Sequence, residues 1–148
     1  MLTQAEADAL IAMGKNFVNI AAITLPPGAD ETHELIGDDK RELFLLDLWR
    51  GTFRLSKLTH QTRGRKVTVL DRLDVDGSPH TNPDGEKITG NHIHVYREGF
   101  EDRWAFPLNP DEFSNPSSIG QTFVDFCRFC NIKDVPVYQE ACCEQAGM

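Results

Sequence analysis

The spacing of apolar residues changes twice along the chain, from a helical period to a period of two and back again. Thr3 and Glu6 form a capping-box pattern that is followed by apolar residues at helical spacing, so a short amphipathic helix is predicted to end near Gly14. A second helix is predicted where apolar side chains share one helical face; these are Ile119, Phe123, Phe126, Cys127 and Cys130.

Alternating apolar and polar residues predict a series of β-strands between the two helices. The predicted strands cover residues 17–25, 32–36, 41–50, 52–62, 66–74, 92–97 and 104–108, with a last extended piece at 135–138. Turns are predicted at residues 37–40 and at Gly51. Residues 43–49 are apolar on both faces, which predicts a central strand covered on both sides or against a helix.

These elements predict a single domain over residues 1–148, of the α+β class. Its antiparallel sheet would have five to six strands, with an N-terminal and a C-terminal helix packed on it. A long loop, residues 75–91, separates two of the strands and contains the strong β-turn sequence Asn82-Pro83-Asp84-Gly85. Loops of this length are uncommon unless they have a function.

The composition is that of an ordinary globular protein, with 40% hydrophobic and 26% charged residues. The acidic start is unlike a secretory signal, and the longest apolar run is too short to cross a bilayer, so we expect a cytoplasmic protein without membrane association. Cys127 and Cys130 fall on the apolar face of the second helix, and the adjacent Cys142 and Cys143 are poorly arranged to chelate a metal. Core or incidental cysteines are therefore predicted.

The net charge of -8 argues against nucleic acid as a partner, but its distribution changes that argument. Residues 50–72 hold seven Lys or Arg against a single Asp, a local balance of +6. One face could therefore bind RNA, the alternative being an ordinary solvated strand face. The candidate nucleic-acid-binding residues are Lys57, Arg63, Arg65, Lys66 and Arg97.

His92 and His94 are two residues apart on a predicted strand, so their side chains should project from the same face. Ile93 and Val95 would then enter the core, which leaves the two histidines on a side open to ligand. The alternative is a pair of surface or structural histidines with no chemical role.

One chemistry that these residues allow is RNA cleavage without a metal or other cofactor. It needs a base, an acid and a cation to hold the charge that grows on the phosphorus, and two histidines titrating near neutral pH can fill the first two roles. The candidate catalytic residues are His92, His94, His80, Arg72 and Tyr96.

The other chemistry is metal binding. The spacing His92-x-His94-x3-Glu98 matches the core of the first cupin motif, in which two strand histidines and a glutamate hold a divalent metal. The second cupin motif is missing because no histidine follows His94, and His80 or Asp84 would have to replace its ligand.

Two strings in this region, Pro79-His80-x-Asn82-Pro83-Asp84-Gly85 and His92-x-His94-x-Tyr96-x-Glu98-Gly99, resemble a family of short, uncharacterised bacterial and phage-borne proteins with a domain of unknown function. The resemblance implies a setting of mobile elements, toxin-antitoxin pairs or phage defence. The histidine pair is also similar, over a shorter stretch, to that of small ribonuclease toxins of the barnase and RelE-like type.

The first functional expectation is therefore a nucleic-acid-directed protein of the toxin-antitoxin or phage-defence class, acting as a metal-independent endoribonuclease. Its partners would be RNA and a cognate antitoxin or another protein. The alternatives are a non-enzymatic binding module, such as a phage-encoded inhibitor of a protein partner, and a cupin-like metal-binding protein.

Overall fold

A computed structural model describes residues 1–19 and 21–141, which form two helices and nine strands. The helices are α1 (Gln4–Ala12) and α2 (Ile119–Phe129). The strands are β1 (Lys15–Phe17), β2 (Asp30–Gly37), β3 (Leu43–Arg50), β4 (Leu58–Gly64), β5 (Thr68–Val75), β6 (His80–Thr81), β7 (Lys87–Ile88), β8 (His92–Val95) and β9 (Ala105–Pro107). The described part of the chain has no helix that is long and apolar enough to cross a membrane.

The main sheet has seven antiparallel strands in the order β1-β2-β3-β4-β5-β8-β9. The predicted α+β class, with an antiparallel sheet and two helices, is confirmed, but the sheet is larger than the predicted five to six strands. The predicted long loop folds into a separate hairpin of β6 and β7.

Two predicted strands are shorter than expected because the chain leaves the sheet to make other contacts. Only Lys15–Phe17 of the N-terminal stretch pairs with β2, and further along Ile23 exchanges backbone hydrogen bonds with residues 137 and 139. The strand predicted from residue 52 begins at Leu58, since residues 51–57 form a loop. The guanidinium of buried Arg50 holds this loop by donating to the carbonyl of Leu55 at 2.8 Å.

The hydrophobic core lies on one face of the sheet, under α2. Phe44, Leu46 and Leu48 of β3 point into it, and Phe123 and Phe126 of α2 cover them with no exposed surface of their own. The intervening β3 residues, 45, 47 and 49, are only partly buried on the opposite face. Of the two predicted alternatives for this central strand, cover on both sides is wrong and packing against a helix is confirmed. We call the face away from α2 the outer face.

The predicted burial of cysteines is confirmed for the two that the structure describes. Cys127 and Cys130 are free thiols without exposed surface, and burial raises the pKa of the Cys127 thiol to about 12. An inert thiol at this pKa fits a core residue rather than a nucleophile. Cys142 and Cys143 lie outside the described residues.

Candidate functional site

The pairing of β5 with β8 gathers four of the site's polar side chains. Asp74 lies opposite His92, and Arg72 lies opposite His94. Side chains alternate along a strand, so all four project from the outer face, while Ile93 enters the core opposite Leu73. The predicted orientation of Ile93 and of the two histidines is confirmed.

The histidines are nevertheless not open to solvent, because the β6–β7 hairpin covers them. The ring centroid of His80 lies 4.6 Å from that of His94 and 5.8 Å from that of His92. His92 is 3% exposed and His94 is 1% exposed. The predicted open side is therefore wrong.

Asn82 fastens the hairpin over the histidines. Its side-chain amide donates to the carbonyl of Ala105 at 2.9 Å, and its side-chain oxygen accepts from the Ala105 N–H at 2.8 Å. The predicted turn follows it directly, with the Gly85 N–H donating to the Asn82 carbonyl at 2.8 Å. The turn sequence therefore has a positional role, which is to fold His80 back over the sheet.

Replacement of Asn82 by Ala should lower the free energy of unfolding by about 1–3 kcal/mol, because two buried backbone groups of Ala105 lose their partners. Hydrogen exchange at residues 80–88 should accelerate at the same time. Asp84→Ala is the matched control, since this exposed residue of the same turn accepts only from the Glu86 N–H. Equal losses in the two variants would contradict a fastening role for Asn82.

The Asp74 carboxylate is the centre of the site. Its Oδ2 atom lies 3.4 Å from His92 Nε2, 3.1 Å from His94 Nε2 and 3.2 Å from Arg72 Nε. Its Oδ1 atom accepts a hydrogen bond from the Thr59 hydroxyl at 3.0 Å. A single carboxylate thus contacts both histidines and the arginine.

Backbone carbonyls fix the orientation of both imidazole rings. His92 Nδ1 lies 2.9 Å from the Gly90 carbonyl, and His94 Nδ1 lies 2.8 Å from the Asp102 carbonyl. A carbonyl can only accept, so each Nδ1 carries a proton and each neutral ring has its lone pair on Nε2. In both rings the Nε2 atom therefore faces Asp74.

The two histidines differ in their neighbours at Nε2. His94 Nε2 lies 3.0 Å from Arg72 Nη2, which can only donate, so His94 Nε2 accepts this hydrogen bond. The hydrogen bond to Asp74 is the main cause that raises the pKa of His92, against the effect of burial. Burial alone would raise the pKa of Asp74, but the bond from His92 and the charge of Arg72 contribute to holding it well below its ordinary value.

The geometry fits a metal ion. Asp74, His92 and His94 each offer one ligand atom, and all of these atoms lie within 4.8 Å of one another. In a tetrahedral site with bonds of 2.0–2.1 Å, neighbouring ligand atoms are about 3.3 Å apart, close to the 3.1 and 3.4 Å measured from Asp74. The carbonyls on Nδ1 are the second-shell partners that metal-binding histidines ordinarily have.

The comparisons with known proteins add a family but no activity. The sequence model of DUF6978, a family of unknown function, matches residues 2–132. The chain belongs to the DUF6978 family. The match spans everything from α1 to α2, so the whole site lies within the DUF6978 domain. No curated protein and no solved structure matches the chain.

An uncharacterised domain was expected from the sequence, and the DUF6978 match is consistent with it. The specific signature strings and the likeness to ribonuclease toxins stay predictions. Of the five predicted catalytic residues, the DUF6978 fold brings four together: His92, His94, His80 and Arg72.

The fifth, Tyr96, and the predicted cupin-type ligand, Glu98, take structural positions instead. The Tyr96 hydroxyl donates to the Leu2 carbonyl at 2.6 Å within the core. Glu98 accepts from the Gln4 N–H at 2.7 Å, in the first turn of α1. β8 ends at Val95, so the alternation that was to carry Tyr96 and Glu98 onto the histidine face stops before it reaches them.

Most basic residues predicted to bind RNA are engaged within the protein. Arg63 donates twice to Asp47, at 2.7 and 2.9 Å, and Arg65 pairs with Glu42 at 3.0 Å. Lys66 was predicted to begin a strand, but it lies in the β4–β5 turn with a positive φ of 72°, before β5 starts at Thr68. Carboxylates of neighbouring strands thus balance much of the local positive charge.

Lys57 and Arg97 lie apart from these residues and from each other. Each has its cation over a tryptophan ring: Lys57 over Trp49 at 5.7 Å and Arg97 over Trp104 at 4.5 Å. Binding of RNA by this dispersed set stays a prediction.

Sequence reasoning missed Asp74 as the residue that joins the site together. Asp74 follows Arg72 by two on an alternating strand, which places both on one face, but their pairing with β8 could not be read from local sequence. Asp102 was also missed; it accepts from Arg72 Nη1 at 2.7 Å.

Proposed function

We propose that the protein binds one divalent transition-metal ion through Asp74 Oδ2, His92 Nε2 and His94 Nε2. The observation that carries the proposal is the convergence of two oriented imidazole Nε2 atoms on one carboxylate. In the protein alone, Arg72 and the hydrogen bond between His92 and Asp74 offset the repulsion among these electron-pair donors. A metal ion would replace these contacts and satisfy all three donors.

The ligand set favours zinc or ferrous iron, because two imidazoles and one carboxylate match catalytic zinc sites and the facial triad of non-haem iron proteins. Three protein ligands leave coordination positions open, as in sites that act on a substrate. A bound metal of this kind supplies Lewis acidity. Access is from the side of Asp74 and Arg72, whose side chains are 20% and 27% exposed.

Arg72 would hold an anionic group of the substrate next to the metal. Its Nη1 atom is anchored on Asp102 at 2.7 Å, while its Nε and Nη2 atoms contact two of the proposed ligands. When a metal takes over Asp74 and His94, these two donors become available to a carboxylate or phosphate oxygen.

Elemental analysis of untagged protein, produced with zinc and iron in the medium, tests the proposal. The wild type should carry about one equivalent of metal, and Asp74→Asn and His94→Gln should carry almost none. His33→Gln is the matched control, because His33 lies on β2 and pairs with Glu31 away from the site. Metal-free wild type, or unchanged metal content in both ligand variants, would overturn the proposal.

Metal-independent RNA cleavage is a second candidate, favoured by the different surroundings of the two histidines. An acid-base pair requires two groups with different proton affinities; the hydrogen bond to Asp74 raises the pKa of His92, whereas His94 accepts from Arg72, which adjoins both rings. Their coverage by the hairpin is the reason for ranking this function second.

The same protein preparations separate the two candidates. RNA cleavage that persists in EDTA and is lost in His92→Gln would establish a metal-independent ribonuclease. Activity that disappears when the metal is removed would contradict it. If the protein neither carries metal nor cleaves RNA, the non-enzymatic binding module remains as the third candidate function.

A further inference from the structure

A second concavity opens on the same side of the sheet as the proposed metal centre. It has a volume of about 550 Å³ and lies between the loop of residues 51–57 and the segment 76–79. Pockets of this size take drug-sized ligands. The residues that matter for its chemistry are Trp49, Phe53, Arg54, Lys57 and Asp76.

The sheet register gives the position of this pocket relative to the metal centre. Trp49 pairs with Thr59, Thr59 pairs with Asp74, and Asp74 pairs with His92, so the four form one row across β3, β4, β5 and β8. Adjacent strands are 4.7–4.9 Å apart, which puts Trp49 about 10 Å from Asp74 on the outer face. The pocket and the centre are therefore neighbours with separate linings.

Internal hydrogen bonds hold the pocket walls in place. The Gly51 N–H donates to the Lys57 carbonyl at 2.9 Å and closes the first loop. Arg54 donates to both oxygens of Asp76, at 3.0 and 2.9 Å, and so ties the first wall to the second. The Asp76 N–H in turn donates to the Asn91 side chain at 2.8 Å. A pocket formed in advance in this way loses little entropy when it binds a ligand.

The lining combines aromatic surface with an excess of one positive charge, since Arg54 and Lys57 face the single carboxylate of Asp76. Phe53 is 98% exposed at the mouth, and the Lys57 ammonium lies 5.7 Å from the centre of the Trp49 ring. Arg54 and Asp76 neutralise each other, whereas Lys57 has no ion pair with a carboxylate in residues 1–19 and 21–141. The net charge of the lining is therefore +1.

We propose that this pocket binds a nucleoside monophosphate, with the base against Trp49 and Phe53 and the phosphate at Lys57. Aromatic side chains stack on any nucleobase, and an ammonium group binds phosphate as a point charge. One cation suits a monophosphate better than a triphosphate, and the volume suits a nucleotide better than free phosphate. The proposal does not depend on the metal centre.

Titration of AMP and UMP against tryptophan fluorescence tests this site. The background is Trp104→Phe, which leaves Trp49 as the single reporter. Both nucleotides should quench the fluorescence, and the quenching should saturate as the nucleotide concentration rises. Lys57→Met should weaken AMP binding about tenfold, since it removes one charge-assisted contact, while adenosine binding stays the same. Phe53→Ala should weaken the binding of both AMP and adenosine.

Two control variants separate binding in this pocket from binding elsewhere on the protein. Lys87→Met removes an exposed lysine of β7 and should leave AMP binding unchanged. Asp74→Asn should also bind AMP normally, so failure of the metal proposal would not affect this result. No saturable quenching, or equal affinity for AMP and adenosine in the protein with Lys57 intact, would overturn the proposal.

Discussion

Zinc should raise the free energy of unfolding of the wild-type protein by up to about 4 kcal/mol at a free concentration of about 1,000 times Kd, because it binds the folded state more tightly than the unfolded one. Asp74→Asn should gain almost nothing, since an amide replaces the carboxylate that joins the two imidazoles. Urea titrations of chelator-treated protein, with and without added zinc, measure the difference.

His33→Gln should gain as much from zinc as the wild type does. This control matters because unfolded chains also bind metals through Cys and His, which lowers the apparent stabilisation of every variant equally. A gain in Asp74→Asn equal to that of the wild type would place the stabilising metal elsewhere in the protein.

His60 should make the protein sensitive to acid. Its side chain is wholly buried on the core face of β4 against Phe126, and burial lowers its pKa to about 4. Its Nδ1 atom lies 3.0 Å from the Thr59 carbonyl, whereas its buried Nε2 atom has no hydrogen-bond partner among the described residues, so a second proton would be unsolvated there. The unfolded chain, by contrast, takes up this proton near the ordinary pKa of 6.5.

The pKa of His60 is lower in the folded protein than in the unfolded chain. Its titration therefore leaves the free energy of unfolding unchanged above about pH 6.5 and lowers it as the pH falls toward about 4. A difference of this size corresponds to about 3 kcal/mol. Asp71, whose pKa burial raises to about 6, acts in the opposite direction over part of the same range. A matched variant is therefore needed to isolate His60.

His60→Leu replaces the imidazole by an apolar side chain of similar size and leaves Asp71 unchanged. The advantage of the wild type over this variant should fall by about 3 kcal/mol between pH 7 and pH 4, measured by urea unfolding at each pH. Parallel pH profiles for the two proteins would contradict the buried neutral state of His60.

Local sequence was sufficient for the elements whose partners are close in the chain. The capping box at Thr3 and Glu6 is present in α1, and the turn predicted at residues 37–40 joins β2 to β3. The strand at residues 43–49 was misread because Leu45 and Trp49 look like core residues by type. Trp49 instead lines a pocket on the outer face. Residue type does not distinguish core burial from the wall of a surface pocket.

The site was predicted in its residues but not in its environment. Two histidines on one strand face follow from alternation, and that part of the prediction was right. Their coverage depends on the contact of Asn82 with Ala105, which lies 23 positions further along the chain, and no local pattern specifies this contact. The central role of Asp74 likewise depends on which strands are paired, and so on the whole fold.

The buried ammonium of Lys15 has a consequence for the order of folding. Consecutive strands from β1 to β5 are neighbours in the sheet, so these hairpins can close over short loops as soon as their residues are available. Lys15 Nζ, however, donates to the Cys130 carbonyl at 3.0 Å, across 115 residues of sequence, as well as to carbonyls at the end of α1. β1 can therefore pair with β2 early, but the Lys15 ammonium obtains its full set of acceptors only when the end of α2 has reached it.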